Sequence, residues 1–306
     1  MTHSNSLDEL KLQDAWLTIG VFDGVHRGHQ HLLRKLVQGA HTAGIPAVVL
    51  TFHPHPAVVL GGQSDFKSLT TPGERAELLT GLGVDAVITQ TFDRAFAGQT
   101  AGEFMQRVAR ALGLRHLFIG YDFALGYKRE GDAARLTELG NALGYQVEVV
   151  EPVRGGKNIL SSTTIRALVR EGALAEAAGS LGRLYTVSGP VVHGDGRGHL
   201  INIPTANIAY PPDKLIPANG IYATWAWVKG ERHASATNVG VNPTFTPDKT
   251  TPNVETYLLD FDRDLYGQEV KIEFVARLRD EMKVPSVEAL VEQIRADVVR
   301  TRTILK

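Results

Sequence analysis

Hydrophobic residues in the first half of the chain come in short unbroken runs, each followed by a longer segment whose apolar positions recur three and four apart. The runs are residues 15–22 (AWLTIGVF), 46–52 (PAVVLTF), 85–89 (DAVIT), 116–120 (HLFIG) and 145–150 (YQVEVV). Helical patterns lie between them: one ending near Ala43, one near 74–82 (ERAELLTGL), one over 101–112 (AGEFMQRVARAL) and one over 134–143 (ARLTELGNAL). Continuously apolar strands alternating with helices predict a parallel sheet covered on both faces, a Rossmann-like, doubly wound α/β unit. After two further helical pieces, TTIRALVREG and ALAEAAGSLG, the pattern changes near Leu184 to YTVSGPVVHG, GIYATWAWVKG, HASATNVGV, VETYLLDF and VKIEFVARL, separated by Gly, Pro, Asp and Asn. In GIYATWAW, Ile221, Ala223, Trp225 and Trp227 fall on one face, as in a strand buried on that side. These segments predict an antiparallel barrel. The final segment, 285–305, predicts a helix capped by Ser286, with Leu290, Val291, Ile294 and Val298 as its apolar stripe. Two domains follow, residues 1–183 and 184–306.

Composition narrows the function classes. Of 306 residues, 43% are hydrophobic and 21% charged, and acidic and basic groups nearly cancel to a net charge of -1, so no basic excess favours nucleic acid as a partner. The chain has no cysteine, which removes disulfides, thiolate nucleophiles and cysteine-based zinc sites. The first residues, MTHSNSLDELKLQD, lack the basic and apolar regions of a signal peptide, and no apolar run approaches a membrane span of roughly 18 residues. The expectation is a cytoplasmic protein with no membrane partner, a monomer or weak oligomer.

Two stretches carry the candidate chemistry. The first is GVFDGVHRGHQ, where a strand runs into Asp23, Gly24, His26, Gly28 and His29. In a parallel sheet, ligands gather at the carboxyl ends of strands. Gly24 and Gly28 open room for backbone N–H groups to approach phosphate, and the helix that follows points the positive end of its dipole to the same place. A metal reading fits less well, since no nearby carboxylate completes a ligand set; His31 reads as surface. Ser161, Ser162, Thr163 and Thr164 precede Arg166 at another helix start, a convergence of hydroxyls and a guanidinium suited to an anion. The second stretch, VHGDGRGHLINIPTANI, has Gly194, Gly196 and Gly198 before Thr205 and Asn207. Its glycines permit a phosphate-wrapping loop, and the Thr205 hydroxyl and Asn207 carbonyl are hard oxygen donors suited to Mg²⁺. By composition an ordinary hairpin explains it equally well.

GVFDGVHRGHQ, TFHPHP, GYDFALG and SSTTIR, in this order, resemble the nucleotidylyltransferase domain of bacterial bifunctional riboflavin kinase/FMN adenylyltransferases. PTAN after the glycine loop, then GIYA, TNVGVNPTF, ETYLLDF and LRDE, is similar to their riboflavin kinase domain. The resemblance covers residues 14–306 and implies a six-stranded barrel with a C-terminal helix behind the α/β domain. It implies two reactions, riboflavin to FMN and FMN to FAD, with ATP as co-substrate, Mg²⁺ as cofactor, and the flavins as substrates and products rather than prosthetic groups. The residues it implies are His26, His29, Asn207 and Glu255 for catalysis, with Glu255 as the base. For ATP they are Gly20, Phe22, Asp23, Gly24, Gly28, Ser161, Ser162, Thr163, Arg166, Gly194, Gly196, Gly198 and Thr205. For flavin they are His55, Asp122, Phe123 and Arg279, the last on a closing loop, and for the metal Thr205 and Asn207. Departures from the family pattern occur at His53, Ala124, Leu125, His199, Ile201, Asn202, Ile203 and Tyr257. Rival readings are an adenylyl- or cytidylyltransferase with a non-catalytic barrel, and a flavin-binding regulatory protein.

Overall fold

The structure is a computed structural model that describes residues 2–62, 65–155, 158–194, 203–241, 252–282 and 285–306. The chain divides into two compact units, residues 1–162 and 163–306.

The first unit is an α/β sandwich. Its strands β1 (Thr2–Ser4), β2 (Ala15–Ile19), β3 (Ala47–His53), β4 (Ala86–Thr91), β5 (Leu114–Gly120) and β6 (Gln146–Val150) form one sheet in the order β1-β4-β3-β2-β5-β6. Every pairing is parallel. The helices are α1 (Arg27–Thr42), α2 (Pro56–Gly61), α3 (Pro72–Gly81), α4 (Arg94–Ala97), α5 (Ala101–Leu112) and α6 (Ala133–Leu143). Alternate residues of each central strand enter opposite cores. Leu17, Ile19 and Leu50 pack with Met105, Val108 and Leu136, while Val49, Val87 and Phe118 pack with Leu33, Leu36 and Leu79. Burial on both faces explains why these strands are apolar throughout. From the edge strand β1 the chain crosses to β2, in the middle of the sheet, builds outward through β3 and β4, then returns to β5 beside β2. That reversal makes the carboxyl ends of β2 and β5 the switch point where an open α/β sheet holds ligands.

Two details differ from the sequence expectation. β1 adds an edge strand of three residues, too short and polar to register as an apolar run; His3 Nε2 lies 2.9 Å from Thr89 Oγ1. β2 stops at Ile19 rather than Phe22, because Phe22, Gly24 and Val25 all take positive φ, 50°, 78° and 41°. Strand geometry is incompatible with those values. A short hairpin, β7 (Arg154–Gly155) and β8 (Asn158–Ile159), follows the sheet.

Helices α7 (Ser162–Glu171) and α8 (Leu174–Leu181) lead into the barrel. Nearly all of α7 and the whole of α8 fall in the second unit, some twenty residues before the boundary drawn from sequence. Local contacts explain this: Ala218 N donates to Val169 O at 3.4 Å, and a side chain at Gly172 would meet Arg277 and Tyr222. Strands β9 (Tyr185–Val192), β10 (Ala206–Ile208), β11 (Gly220–Val228), β12 (Glu231–Gly240), β13 (Asn253–Leu258) and β14 (Glu269–Arg279) close in the order β10-β13-β12-β11-β14-β9. Neighbours are antiparallel throughout.

The interior face of β11 is the reverse of the one expected. Tyr222, Thr224, Ala226 and Val228 point inward, whereas Trp225 and Trp227 lie outside, with the Arg232 guanidinium 4.2 Å from the Trp225 ring and Lys271 Nζ 5.0 Å from that of Trp227. A narrow barrel has no room for two indoles on one strand, and the cations cover them on the outer surface. The barrel core is partly polar: Thr224 Oγ1 lies 2.8 Å from Ser235 Oγ and 2.7 Å from Thr237 Oγ1, which donates to Thr256 Oγ1 at 2.8 Å. All four hydroxyls are satisfied, so their burial carries little penalty.

Helix α9 (Val287–Ile304) closes the chain, with Ser286 Oγ accepting from Ala289 N as expected. Its most buried positions are polar, Asp297 and Thr301, and not the apolar stripe. Arg279 is the reason. It is the last residue of β14, not part of a loop, and its guanidinium grips Asp297 through Nε at 3.1 Å and Nη2 at 2.7 Å. Arg279→Ala would leave Asp297 buried with, among the described residues, Gln293 alone donating to it through its side chain. Loss of one partner of such a pair costs about 3–5 kcal/mol. Urea unfolding of the barrel should show it, and an unchanged midpoint would mean that the pair contributes nothing to the fold.

Candidate active sites

The turn after β2 is held from beneath. Asp23, 1% exposed, accepts from Leu69 N and Thr70 N, both at 3.1 Å, and from Thr70 Oγ1 at 3.3 Å. Thr70 Oγ1 in turn accepts from Gly24 N at 3.1 Å. Arg75 on α3, also 1% exposed, donates to Thr51 Oγ1 at 2.9 Å, to Phe52 O at 3.0 Å and to Thr70 Oγ1 at 3.5 Å. Asp23 and Gly24 therefore fix the loop, with the Asp23 carboxylate and the Gly24 N–H directed to residues 69 and 70. Gly20 leaves room for the Phe22 ring, which a Cβ there would approach to 3.0 Å.

His26 caps α1. Its Nδ1 accepts from Gly28 N at 3.1 Å and His29 N at 3.4 Å, so the neutral ring carries its proton on Nε2. Residues that cap helices are usually Ser, Thr, Asp or Asn. Here a Cβ at Gly28 would come within 2.9 Å of the His26 ring, so Gly28 admits that ring as well as keeping the helix start open. His29 stacks on His26 at 3.7 Å between centroids and meets Phe22 edge-on at 5.1 Å. Its Nδ1 is shielded from solvent and has no hydrogen-bond partner among the described residues. Burial holds the His29 pKa well below its ordinary 6.5, and the charges of His26 and Arg75 push it the same way.

That depression has a sign. Between the lowered folded pKa and 6.5 the unfolded chain binds the proton and the folded one does not, so stability rises with pH across this window and is lost as pH falls. Thermal melts of the wild type from pH 7 to pH 5 should fall more steeply than those of His29→Asn. Parallel curves would contradict the assignment.

Ser162, first residue of α7, donates to Asp23 O at 2.8 Å, which ties the SSTT stretch to the turn; Ser161 directly precedes it and is partly buried. Thr163 and Arg166 follow in the first turn of α7, where Arg166, 8% exposed, donates to Thr163 Oγ1 at 3.2 Å. The expected flavin residues of this unit sit just past two other strand ends. His55 caps α2 by accepting from Ala57 N at 3.1 Å and packs on Phe66 at 4.1 Å. Asp122 is exposed after β5, and Phe123 packs against the core. In a parallel sheet these ends share one edge, so β2, β3 and β5 present their candidate residues at the same side.

In the barrel, the expected catalytic residues fall on one line across the strands. Asn207 on β10 pairs with Glu255 on β13, Glu255 with Asn238 on β12, Asn238 with Ile221 on β11, and Ile221 with Arg279 on β14. Paired residues project to the same face. Val254, Thr256 and Leu258 fill the barrel, so Glu255 and its neighbours lie on the outer face. Asn253 Nδ2 reaches Glu255 Oε1 at 3.4 Å. Gly194 lies against Asn207, where a Cβ would approach Nδ2 to 2.2 Å. Gly196 and Gly198, with His199, Ile201 and Asn202, lie outside the described residues. Thr205, two residues before Asn207, lines a cavity of about 420 Å³ together with Pro204, Phe261, Arg263 and Tyr266. Burial pushes the Glu281 carboxyl up; the Asn219 hydrogen bond opposes this, and the charge of Glu255 adds to it.

Three participants were not singled out from sequence. Thr70 and Arg75 sit in a segment with an ordinary helical pattern, and only tertiary structure reveals a buried guanidinium there. Asn238 stands in TNVGVNPTF, and its place beside Glu255 depends on strand register.

Comparison with known proteins agrees with this layout. Residues 8–164 match the FAD synthetase family, and residues 181–305 match the riboflavin kinase family. A bifunctional riboflavin kinase/FMN adenylyltransferase of Listeria monocytogenes is 37% identical over 98% of this chain and 95% of its own. Its counterpart in Escherichia coli strain K12 is 33% identical over 97% and 95%. A crystal structure described as a macrolide-efflux protein from Streptococcus pneumoniae superposes with a TM-score of 0.87 at 31% identity, covering 98% of both chains. With both family patterns in sequence and relatives matched over nearly their full length, the chain belongs to the bifunctional riboflavin kinase/FMN adenylyltransferase family.

Proposed function

We propose that each unit carries one of the family's two reactions, and that the sites are the α1 N-terminus in the first unit and the Asn207–Glu255 pair in the second. The observation that supports this division is that each constellation is built inside the region matching one activity: His26 and His29 within 8–164, Thr205, Asn207 and Glu255 within 181–305. The riboflavin kinase match over the barrel also favours two reactions over a transferase with a non-catalytic barrel.

In the barrel, Glu255 accepts the proton of the riboflavin 5'-hydroxyl as its oxygen attacks the γ-phosphorus of ATP. The bond to the β,γ-bridging oxygen breaks, leaving FMN and ADP. ATP occupies the cavity beside Thr205, which Phe261 and Tyr266 also line. The Thr205 hydroxyl and Asn207 amide oxygen are hard donors of the kind that would hold Mg²⁺. When bound there, the ion offsets charge on the transferred phosphoryl group.

In the first unit, a phosphate oxygen of FMN attacks the α-phosphorus of ATP, the α,β-bridging bond breaks, and FAD and pyrophosphate form. FMN brings its own nucleophile, so no protein base is needed. The work left to the protein is alignment and charge stabilisation. His26 Nε2–H donates to the ATP phosphates, while its Nδ1 holds the Gly28 and His29 N–H groups and so fixes the ring at the positive end of the helix dipole; His29, with Nδ1 unpartnered among the described residues, stacks behind it. Gly20, Phe22, Asp23, Gly24 and Gly28 keep that helix start open, Ser161 and Ser162 border it, and FMN lies along the neighbouring strand ends, at His55, Asp122 and Phe123.

Incubation of the purified chain with riboflavin, ATP and Mg²⁺, with flavins resolved by chromatography, tests this reading. FMN should form first and FAD follow. FAD formed only from supplied FMN, or bound riboflavin without product, would overturn it.

A further inference from the structure

The row Asn207–Glu255–Asn238 has an asymmetry that the assigned chemistry does not use. Asn207, on one side of Glu255, faces the glycine loop at Gly194 and lies two residues from Thr205 and its cavity. Asn238, on the other side, pairs with Glu255 in register, one strand spacing away, roughly 5 Å. Its Oδ1 is shielded from solvent and has no hydrogen-bond partner among the described residues. A buried acceptor with nothing donating to it is costly to keep, and such atoms in a native fold call for an explanation. Here the explanation is a ligand group that arrives with a proton to donate.

The chemistry of the two substrates decides which one. Phosphate oxygens are acceptors and cannot satisfy an amide oxygen. A hydroxyl can, and the flavin substrate carries secondary hydroxyls along the same chain whose terminal hydroxyl must reach Glu255. We propose that Asn238 is a substrate-binding residue of the kinase reaction, its Oδ1 accepting a hydrogen bond from a secondary hydroxyl of the ribityl chain. The row then has a direction: phosphoryl donor at Asn207, proton acceptor at Glu255, and acceptor chain at Asn238. A polyol chain laid along this direction brings its end to Glu255 in one orientation only, so Asn238 selects substrates with a hydroxylated chain over flavins with a bare alkyl one.

The inference rests on the assignment of the kinase site to Glu255, and a substrate cycle tests it separately. Asn238→Ala and Asn238→Val, the second a good strand former should the first fail to fold, are assayed with riboflavin, 3'-deoxyriboflavin and 4'-deoxyriboflavin as phosphoryl acceptors. Both variants should raise KM for riboflavin about tenfold, the size expected for one hydrogen bond to a buried group, with kcat little changed. Wild-type enzyme should lose a similar factor with one of the deoxy substrates, and the variants should lose nothing further with that substrate. Equal losses for wild type and variants with both deoxy substrates, or an unchanged KM for riboflavin, would overturn the proposal. Failure of Glu255 as the base would show elsewhere, as undiminished turnover by Glu255→Gln, while the coupling at Asn238 is still read from wild type and variants.

Discussion

Glu255→Gln should stop phosphorylation of riboflavin while conversion of supplied FMN to FAD continues at the wild-type rate. Glutamine keeps the size and strand position of the side chain but cannot take the proton of the 5'-hydroxyl. Loss of a positioned general base lowers kcat by about 10² to 10⁴. The barrel should be undisturbed, because Glu255 lies on its outer face and the buried neighbours Val254 and Thr256 are unchanged. The same argument predicts a kcat effect with little change in KM for ATP, since the proposed ATP contacts are Thr205, Asn207 and the cavity beside Thr205. A Glu255→Gln enzyme that makes FMN at the wild-type rate would remove Glu255 from the chemistry.

His29→Asn should do the reverse: FMN accumulates from riboflavin and FAD does not follow. His29 stacks on the helix-capping ring of His26, and its lowered pKa keeps it neutral at pH 7. In the proposed role it serves the ATP phosphates through hydrogen bonding and shape, not as a standing cation, and its removal also loosens the ring that holds the Gly28 and His29 N–H groups. Loss of one preorganised contact of this kind costs about a hundredfold to a thousandfold in rate. Steady-state adenylylation of supplied FMN measures the loss. An effect under threefold would mean that the helix start works without this ring.

Much of the architecture was readable in the chain because burial leaves a period. Strands β2 to β5 are covered on both sides and appear as apolar runs, and the helices between them show one apolar face. The misreadings share a cause, contacts that depend on distant segments. Phe22 and Val25 take positive φ because Asp23 and Gly24 are pinned to residues 69 and 70, so the strand stops three residues early. The inward face of β11 was inverted because hydrophobicity marked Trp225 and Trp227, whereas barrel width selects Tyr222, Thr224 and Ala226. Arg279 belonged, by pattern, to a loop over flavin, but its pairing with Asp297 on α9 is invisible without the fold. Candidate residues stand out in the chain where residue type and position coincide, as at His26, His29, Thr205 and Asn207. The place of Asn238 beside Glu255 does not, because strand register decides it.

The division of labour is tested most directly by mixing the two crippled proteins. Glu255→Gln and His29→Asn, each alone, should fail to turn riboflavin into FAD. An equimolar mixture with riboflavin, ATP and Mg²⁺ should form FAD after a lag, because FMN released by the His29→Asn barrel reaches the intact first unit of the other chain. A mixture that accumulates FMN without FAD, or either single variant completing both steps, would contradict the claim that each unit carries one reaction.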